Sequence, residues 1–169
     1  MLSSDEKKYI QTIPEDKKVA IKPFSNKATQ IANEIIGKVK EVDSGLEVIH
    51  MGASGLGISG QGDLDVYILV NPVRFNDYLP KLIKIFGEPK SKKFDSIAWE
   101  MKQDDYEIEL YLTDPNSEPM KKQIKIFETL KNNPELLSKY EKLKEEMNGK
   151  SFRNYQEEKY KFYHKILEK

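Results

Sequence analysis

Two stretches of the chain alternate strictly between apolar and polar positions. In Asp63–Val70, Leu64, Val66, Ile68 and Val70 fall on one face and Asp63, Asp65 and Tyr67 on the other. In Tyr106–Leu112, Ile108, Leu110 and Leu112 oppose Glu107, Glu109 and Tyr111. A period of two predicts strands with one buried face. Further strands are predicted at Leu46–Met51 and around Ile97–Met101, the latter joined by a hairpin at Gln103–Asp105 to the Tyr106 strand. Helical spacing takes over elsewhere. Behind Ser25 as N-cap, Ala28, Ile31, Ala32, Ile35, Ile36 and Val39 form one stripe. Phe75, Tyr78, Leu79, Leu82, Ile83 and Phe86 form a second, closed by Gly87. Pro80 lies inside that stripe and removes a helical hydrogen bond, so the secure helix is predicted to start near Leu79. From Glu118 onward the pattern is helical, with Asn133-Pro134 as a start, Asn148-Gly149 as a stop and Ser151 as a last cap.

This order predicts an α/β (α+β) protein with a short mixed sheet and helices on one face. Residues 25–116 would form the α/β core and 117–169 a C-terminal helical extension. Residues 1–24, polar and broken by Pro14 and Pro23, read as an arm with a short helix at 4–11. At 169 residues the three parts fit one compact domain with a proper core.

Charge narrows the function classes. Lys and Arg number 28 and so do Asp and Glu, which argues against bulk nucleic-acid binding, and 38% hydrophobic residues argue against disorder. The balance is uneven along the chain, because residues 120–169 carry 13 basic and 8 acidic side chains. A basic helical half suits a triphosphate or, less favoured, an RNA; a solvated lysine-rich surface is the plainer reading. There is no cysteine, which excludes disulfides and thiolate metal sites. No apolar run reaches the roughly 20 residues that span a bilayer, and the N-terminus lacks the apolar segment of a signal peptide, so no membrane association and a cytoplasmic location are expected.

The chemistry concentrates between two strands. The segment Gly52-Ala-Ser-Gly-Leu-Gly-Ile-Ser-Gly-Gln-Gly-Asp-Leu-Asp65 is a glycine-rich loop ending in two carboxylates. Glycines allow positive φ and close backbone approach. Asp63 and Asp65 stand on the same strand face about 7 Å apart, poorly placed for a core and well placed for a hard divalent cation. If the Tyr106 strand is a neighbour, Glu109, or with less weight Glu107, supplies a third carboxylate. Three carboxylates around Mg²⁺ (or Mn²⁺) suit phosphoryl or nucleotidyl transfer.

Gly52-Ala53, nine intervening residues, Asp63-Leu64-Asp65-Val66 and a later hydrophobic-Glu-hydrophobic strand together resemble the signature of the nucleotidyltransferase superfamily. Within it the chain is similar to the GrpB-like family, through Val48-Ile-His-Met-Gly52, Phe127-x-x-Leu-Lys-Asn-Asn-Pro-Glu135, Tyr140-x-x-Leu-Lys144 and Tyr155-x-x-x-Lys159. The resemblance spans roughly residues 46–169. Ala53 stands where the family usually has Ser, Ser54 follows one place later, and Gly57 replaces a usual Pro. The resemblance implies the nucleotidyltransferase fold, with Asp63, Asp65 and Glu109 binding metal and acting in catalysis. It also implies phosphate contacts from Gly52, Ala53, Ser54 and Gly55. A nucleoside monophosphate would pass from a nucleoside triphosphate to an acceptor hydroxyl, Glu109 helping to remove its proton. Two other functions compete: a nucleotide- or phosphate-binding module without turnover, and an RNA-directed nucleotidyltransferase.

Several residues carry two readings. Lys159 lies within an aromatic stripe of the last helix, either snorkelling past the core edge or aiming its ammonium at phosphates. Arg153, Lys92 and Lys93 are weaker candidates of that kind. His50 is a satisfied strand-end imidazole or a substrate contact. Trp99 reads as core or sheet face rather than a stacking platform, and His164 as a residue of a solvated helix.

Overall fold

The two alternating runs become the two central strands of a five-stranded sheet. The computed structural model describes all residues, 1–169. Its strands are β1 (Glu47–Met51), β2 (Asp63–Leu69), β3 (Ser91–Lys92), β4 (Ser96–Gln103) and β5 (Tyr106–Thr113), in spatial order β1-β2-β5-β4-β3. The β2–β5 pair is parallel and the other three are antiparallel. The sheet is therefore mixed, as the sequence predicts. β4 and β5 meet through Asp104-Asp105, with Asp104 at φ 53°.

One face of the sheet carries the main core. Leu64, Val66 and Ile68 of β2 and Leu110 and Leu112 of β5 are fully buried. They pack against Ala28, Ile31, Ala32, Ile35 and Val39 of α2 (Asn26–Val42), and against Phe75, Tyr78 and Leu82 of α4 (Phe75–Phe86). Trp99 is part of this core, its indole N–H donating to the Gly87 carbonyl at 2.8 Å. α4 differs from the sequence reading by running unbroken through Pro80. An internal proline costs about 3 kcal/mol. Phe75 and Tyr78, buried ahead of the proline, each return about 1.5–3 kcal/mol by leaving water. Packing therefore holds the turn that propensity would lose.

The opposite face is roofed by the C-terminal helices α5 (Glu118–Lys131), α6 (Pro134–Met147) and α7 (Phe152–Leu167). Met120 and Phe127 of α5 pack beside Met51, Ile49 and Tyr67, which anchors the roof to the β1–β2 edge. The N-terminal residues are stitched to these helices. α1 (Ser4–Thr12) is closed by a capping box between Ser3 and Glu6 and contacts α7. Val19 exchanges backbone hydrogen bonds with Lys150 and Gly149, and Lys22 with Gly60. No helix is long and apolar enough to cross a membrane.

Candidate functional site

The parallel register sets Asp63 opposite Glu107 and Asp65 opposite Glu109. Their faces coincide because side chains on paired strands alternate in step. Asp63, Asp65, Glu109, Tyr67 and Tyr111 form the floor of a cavity of about 520 Å³ beneath α5–α7. Phe127, Tyr140, Lys159 and Tyr163 close over it. Glu107 shares the strand face but is exposed and outside this lining, so the third carboxylate is Glu109.

The glycine-rich segment folds as a one-turn helix, α3 (Gly52–Leu56), rather than an extended loop. Gly52 has φ 72°, and a Cβ there would lie 2.5 Å from Asp65 Oδ2. At Gly55 a Cβ would meet the His50 carbonyl oxygen at 2.3 Å. These two glycines let the turn fold back against both flanking strands. Gly52 and Ala53 line the cavity, whereas Ser54 and Gly55 do not. Ser54 donates its hydroxyl to the Asp63 carbonyl at 3.2 Å, and His50 Nε2 sits 2.8 Å from the same hydroxyl. The two contacts tie the ring of His50 to the glycine turn and to β2 through one hydroxyl. Burial depresses the imidazole to about 4, so it is neutral. His50 is a register partner of Val66, on the α2 side of the sheet, facing away from Asp65. Its ring is thus bonded at the end of β1 and lies outside the cavity lining. The far end of the segment is held by α6, where Glu141 accepts from the Ser59 amide and hydroxyl at 2.9 and 3.1 Å.

Of the basic candidates only Lys159 reaches the cavity. Its ammonium lies 5.6 Å from the Tyr163 ring centre and makes no ion pair. Tyr163, then Tyr155, Asp63 and Asp65, hold it above the usual lysine range against burial. Arg153 points elsewhere. Its guanidinium donates to the carbonyls of Ile13 (2.7 Å) and Gln11 (3.3 Å) and to Glu15 (3.2 Å), so it fastens the N-terminal arm and lies outside the cavity lining. Lys92 pairs with Glu88 on the edge strand β3, two strands removed from β5.

A second lysine stands behind Lys159. Lys144 of α6 is 3% exposed and donates to the Tyr155 hydroxyl at 2.8 Å. Burial, and after it the neighbouring Lys159 ammonium, push Lys144 down to about 7, while Asp63 and Asp65 pull the other way. The Tyr140 and Tyr163 hydroxyls, 2.7 Å apart, complete a ring of phenols and ammoniums linking α6 to α7. Lys144 carries no signal in the hydrophobic pattern. Its traces in the sequence are the family-like motif Tyr140-x-x-Leu-Lys144 and spacing: Tyr140 and Lys144, like Tyr155 and Lys159, are four apart and share a helix face.

The floor is acidic and strained in charge. Burial, then Asp63, then Glu109 push the Asp65 carboxyl up to about 7; Lys159 and Lys144 oppose them. Tyr111 donates its phenol to Glu109, and its ring stacks on Tyr67 with centres 4.8 Å apart. Burial raises both phenols above their ordinary range. Asp63, Asp65 and Glu109 fit a divalent cation in donor type and in face, and a cation would relieve the charge on Asp65. In the present rotamers no three acidic or histidine side chains converge tightly enough to hold an ion, one Glu109 oxygen being engaged by Tyr111.

The chain belongs to the GrpB protein family, whose model matches residues 18–169. This is the family the sequence resembles, in the nucleotidyltransferase superfamily, and the match begins ahead of α2 rather than near residue 46. No curated protein matches the chain.

Proposed function

From membership in the GrpB family, we propose that the cavity is a metal-dependent nucleotidyl-transfer site. The supporting observation is the β2–β5 register, which sets Asp63, Asp65 and Glu109 on one cavity floor facing Lys159. Asp63, Asp65 and Glu109 would hold Mg²⁺ or Mn²⁺, which supplies charge neutralisation at the phosphates. Lys159 neutralises phosphate oxygens from the roof, and the amides of Gly52 and Ala53 receive phosphate at the floor. An acceptor hydroxyl attacks the α-phosphorus; its new O–P bond forms as the bond to pyrophosphate breaks. The hydroxyl proton passes to the Glu109 oxygen that Tyr111 leaves open. Positioning and electrostatics carry the reaction without a protein nucleophile.

The test is calorimetric titration of the four nucleoside triphosphates, with Mg²⁺ and with chelator, into the wild type and Asp65→Asn. Metal-dependent binding that vanishes in Asp65→Asn supports the site. Binding indifferent to both sinks it.

A second reading, a nucleotide-binding module without turnover, draws on Ala53 and on carboxylates that do not converge as they stand. Tight metal-dependent binding with no pyrophosphate release would favour it. The RNA-directed reading is weaker, because Lys121, Lys139, Lys142 and Lys161 each pair with a glutamate on their own helix, as on a solvated surface.

A further inference from the structure

Residues 1–17 lie outside the segment that matches the family, yet they contribute to the cavity wall. Tyr9 of α1 lines the cavity together with Phe152, Gln156 and Tyr160, which fall four apart on one face of α7. Every residue of α1 keeps appreciable solvent contact, and Tyr9 itself is 46% exposed. No side chain within α1 is buried; its anchor is the C-cap residue Ile13, buried against Phe152 and Tyr155, and polar links hold the rest. Glu6 pairs with His164 at 2.8 Å, and Arg153 grips the carbonyls of Gln11 and Ile13 and the carboxylate of Glu15. The body of α1, which buries no side chain, opens more readily than an apolar interface, with the Ile13 anchor as its fixed end. Tyr9, Phe152, Gln156 and Tyr160 thus form a largely aromatic wall of the same cavity that Lys159 and the carboxylates line.

We propose that Tyr9 is a ligand-contacting residue in this wall, stacking with the nucleobase of a bound nucleotide, and that α1 lifts from α7 to admit it. This rests on the nucleotide-transfer reading, which places the phosphates at Lys159 and directs the base toward this wall. A phenol ring in a cavity wall presents a π-face that any base can meet, and removing one such ring weakens binding roughly tenfold.

The experiment compares two ligands that share the triphosphate chain, only one of which carries a ribose and base. Full-length wild type, Tyr9→Ala and Tyr9→Phe are titrated with Mg·ATP and with magnesium tripolyphosphate. Tyr9→Ala is expected to weaken ATP roughly tenfold and to leave tripolyphosphate unchanged, while Tyr9→Phe retains ATP affinity. Equal losses for both ligands, or no loss for either, would overturn the base contact. A ligand-free measurement tests the wall separately. The chain has no cysteine, so Gln156→Cys provides a single thiol inside the cavity. Maleimide should label it faster when Tyr9→Ala or Arg153→Ala is added; an unchanged rate would overturn the movable wall. If neither ligand binds the wild type, the transfer reading fails and the base contact falls with it, and labelling alone decides whether α1 closes the cavity.

Discussion

Gly52 and Asp65 approach so closely that a Cβ on Gly52 would stand 2.5 Å from Asp65 Oδ2. The glycine turn and the central carboxylate are in this sense one unit. Gly52→Ala combines two penalties: an L-residue at φ 72°, costing about 1–2 kcal/mol, and forced rotation of the carboxylate. Gly57 has nearly the same φ, 71°, and open space around it. Gly57→Ala should therefore show the backbone penalty alone. Both variants are expected to melt a few degrees lower, and only Gly52→Ala should lose divalent-metal binding by calorimetry. Equal metal binding in the two would uncouple the turn from Asp65.

Asp65 gives the fold a pH dependence. Its carboxyl titrates near 7 in the folded chain, above its ordinary 3.8, so folding favours the protonated form. That contribution is present below about pH 4 and is lost as pH rises through 7. Asp65→Asn has no proton to lose. In chelator, the variant should gain on the wild type between about pH 4 and 7, by up to about 4 kcal/mol above that window. Urea midpoints across pH 4–8 measure it, and a constant difference would count against the charged floor.

His50 works in the opposite direction. Burial lowers its pKa from 6.5 to about 4, so the folded chain prefers the neutral ring. The associated stability is full above about pH 6.5 and declines as pH falls through 4, amounting to about 3 kcal/mol. His50→Gln can keep a hydrogen bond to Ser54 and removes the titration. Its acid limb should be flatter than the wild type's in a melting series from pH 3.5 to 7, and superimposable limbs would refute the assignment.

Lys144 is retained at a cost to stability. A buried ammonium beside Lys159 is disfavoured, and one hydrogen bond to Tyr155 compensates only in part. Lys144→Met keeps the volume and removes the charge. It should raise stability at pH 7 by about 1–3 kcal/mol while weakening Mg·ATP binding. A variant both less stable and unimpaired in binding would contradict this view of the ring.

The parts of the fold legible in the sequence are those written in local periodicity. Alternation placed Asp63 and Asp65 on one face and Glu109 on its equivalent in the other strand, and the core stripe of α2 was visible from Ala28 to Val39. The turn at Gly52–Leu56 was not, because its helical geometry depends on the non-local approach to Asp65 rather than on propensity. Arg153 and His164 each proved to hold the N-terminal arm, through partners about 140 or more positions away that no spacing rule connects. Lys144 stands in the motif Tyr140-x-x-Leu-Lys144, but its burial behind Lys159 stayed hidden for the same reason. Which lysine faces a cavity depends on how three helices cross, and all three are lysine-rich.

The single parallel pair has one more consequence, for synthesis. β2 is complete at Leu69, yet its parallel partner β5 is not made until Thr113. During that interval one edge of β2, with Leu64, Val66 and Ile68 along it, has no neighbour, and an unpaired apolar edge invites association with other nascent chains. α4, formed in the same interval, can shelter the face of β2 but not its edge. The span from residue 70 to 113 is thus the most aggregation-prone stage in the making of this chain, and it ends with the arrival of the strand that carries Glu109.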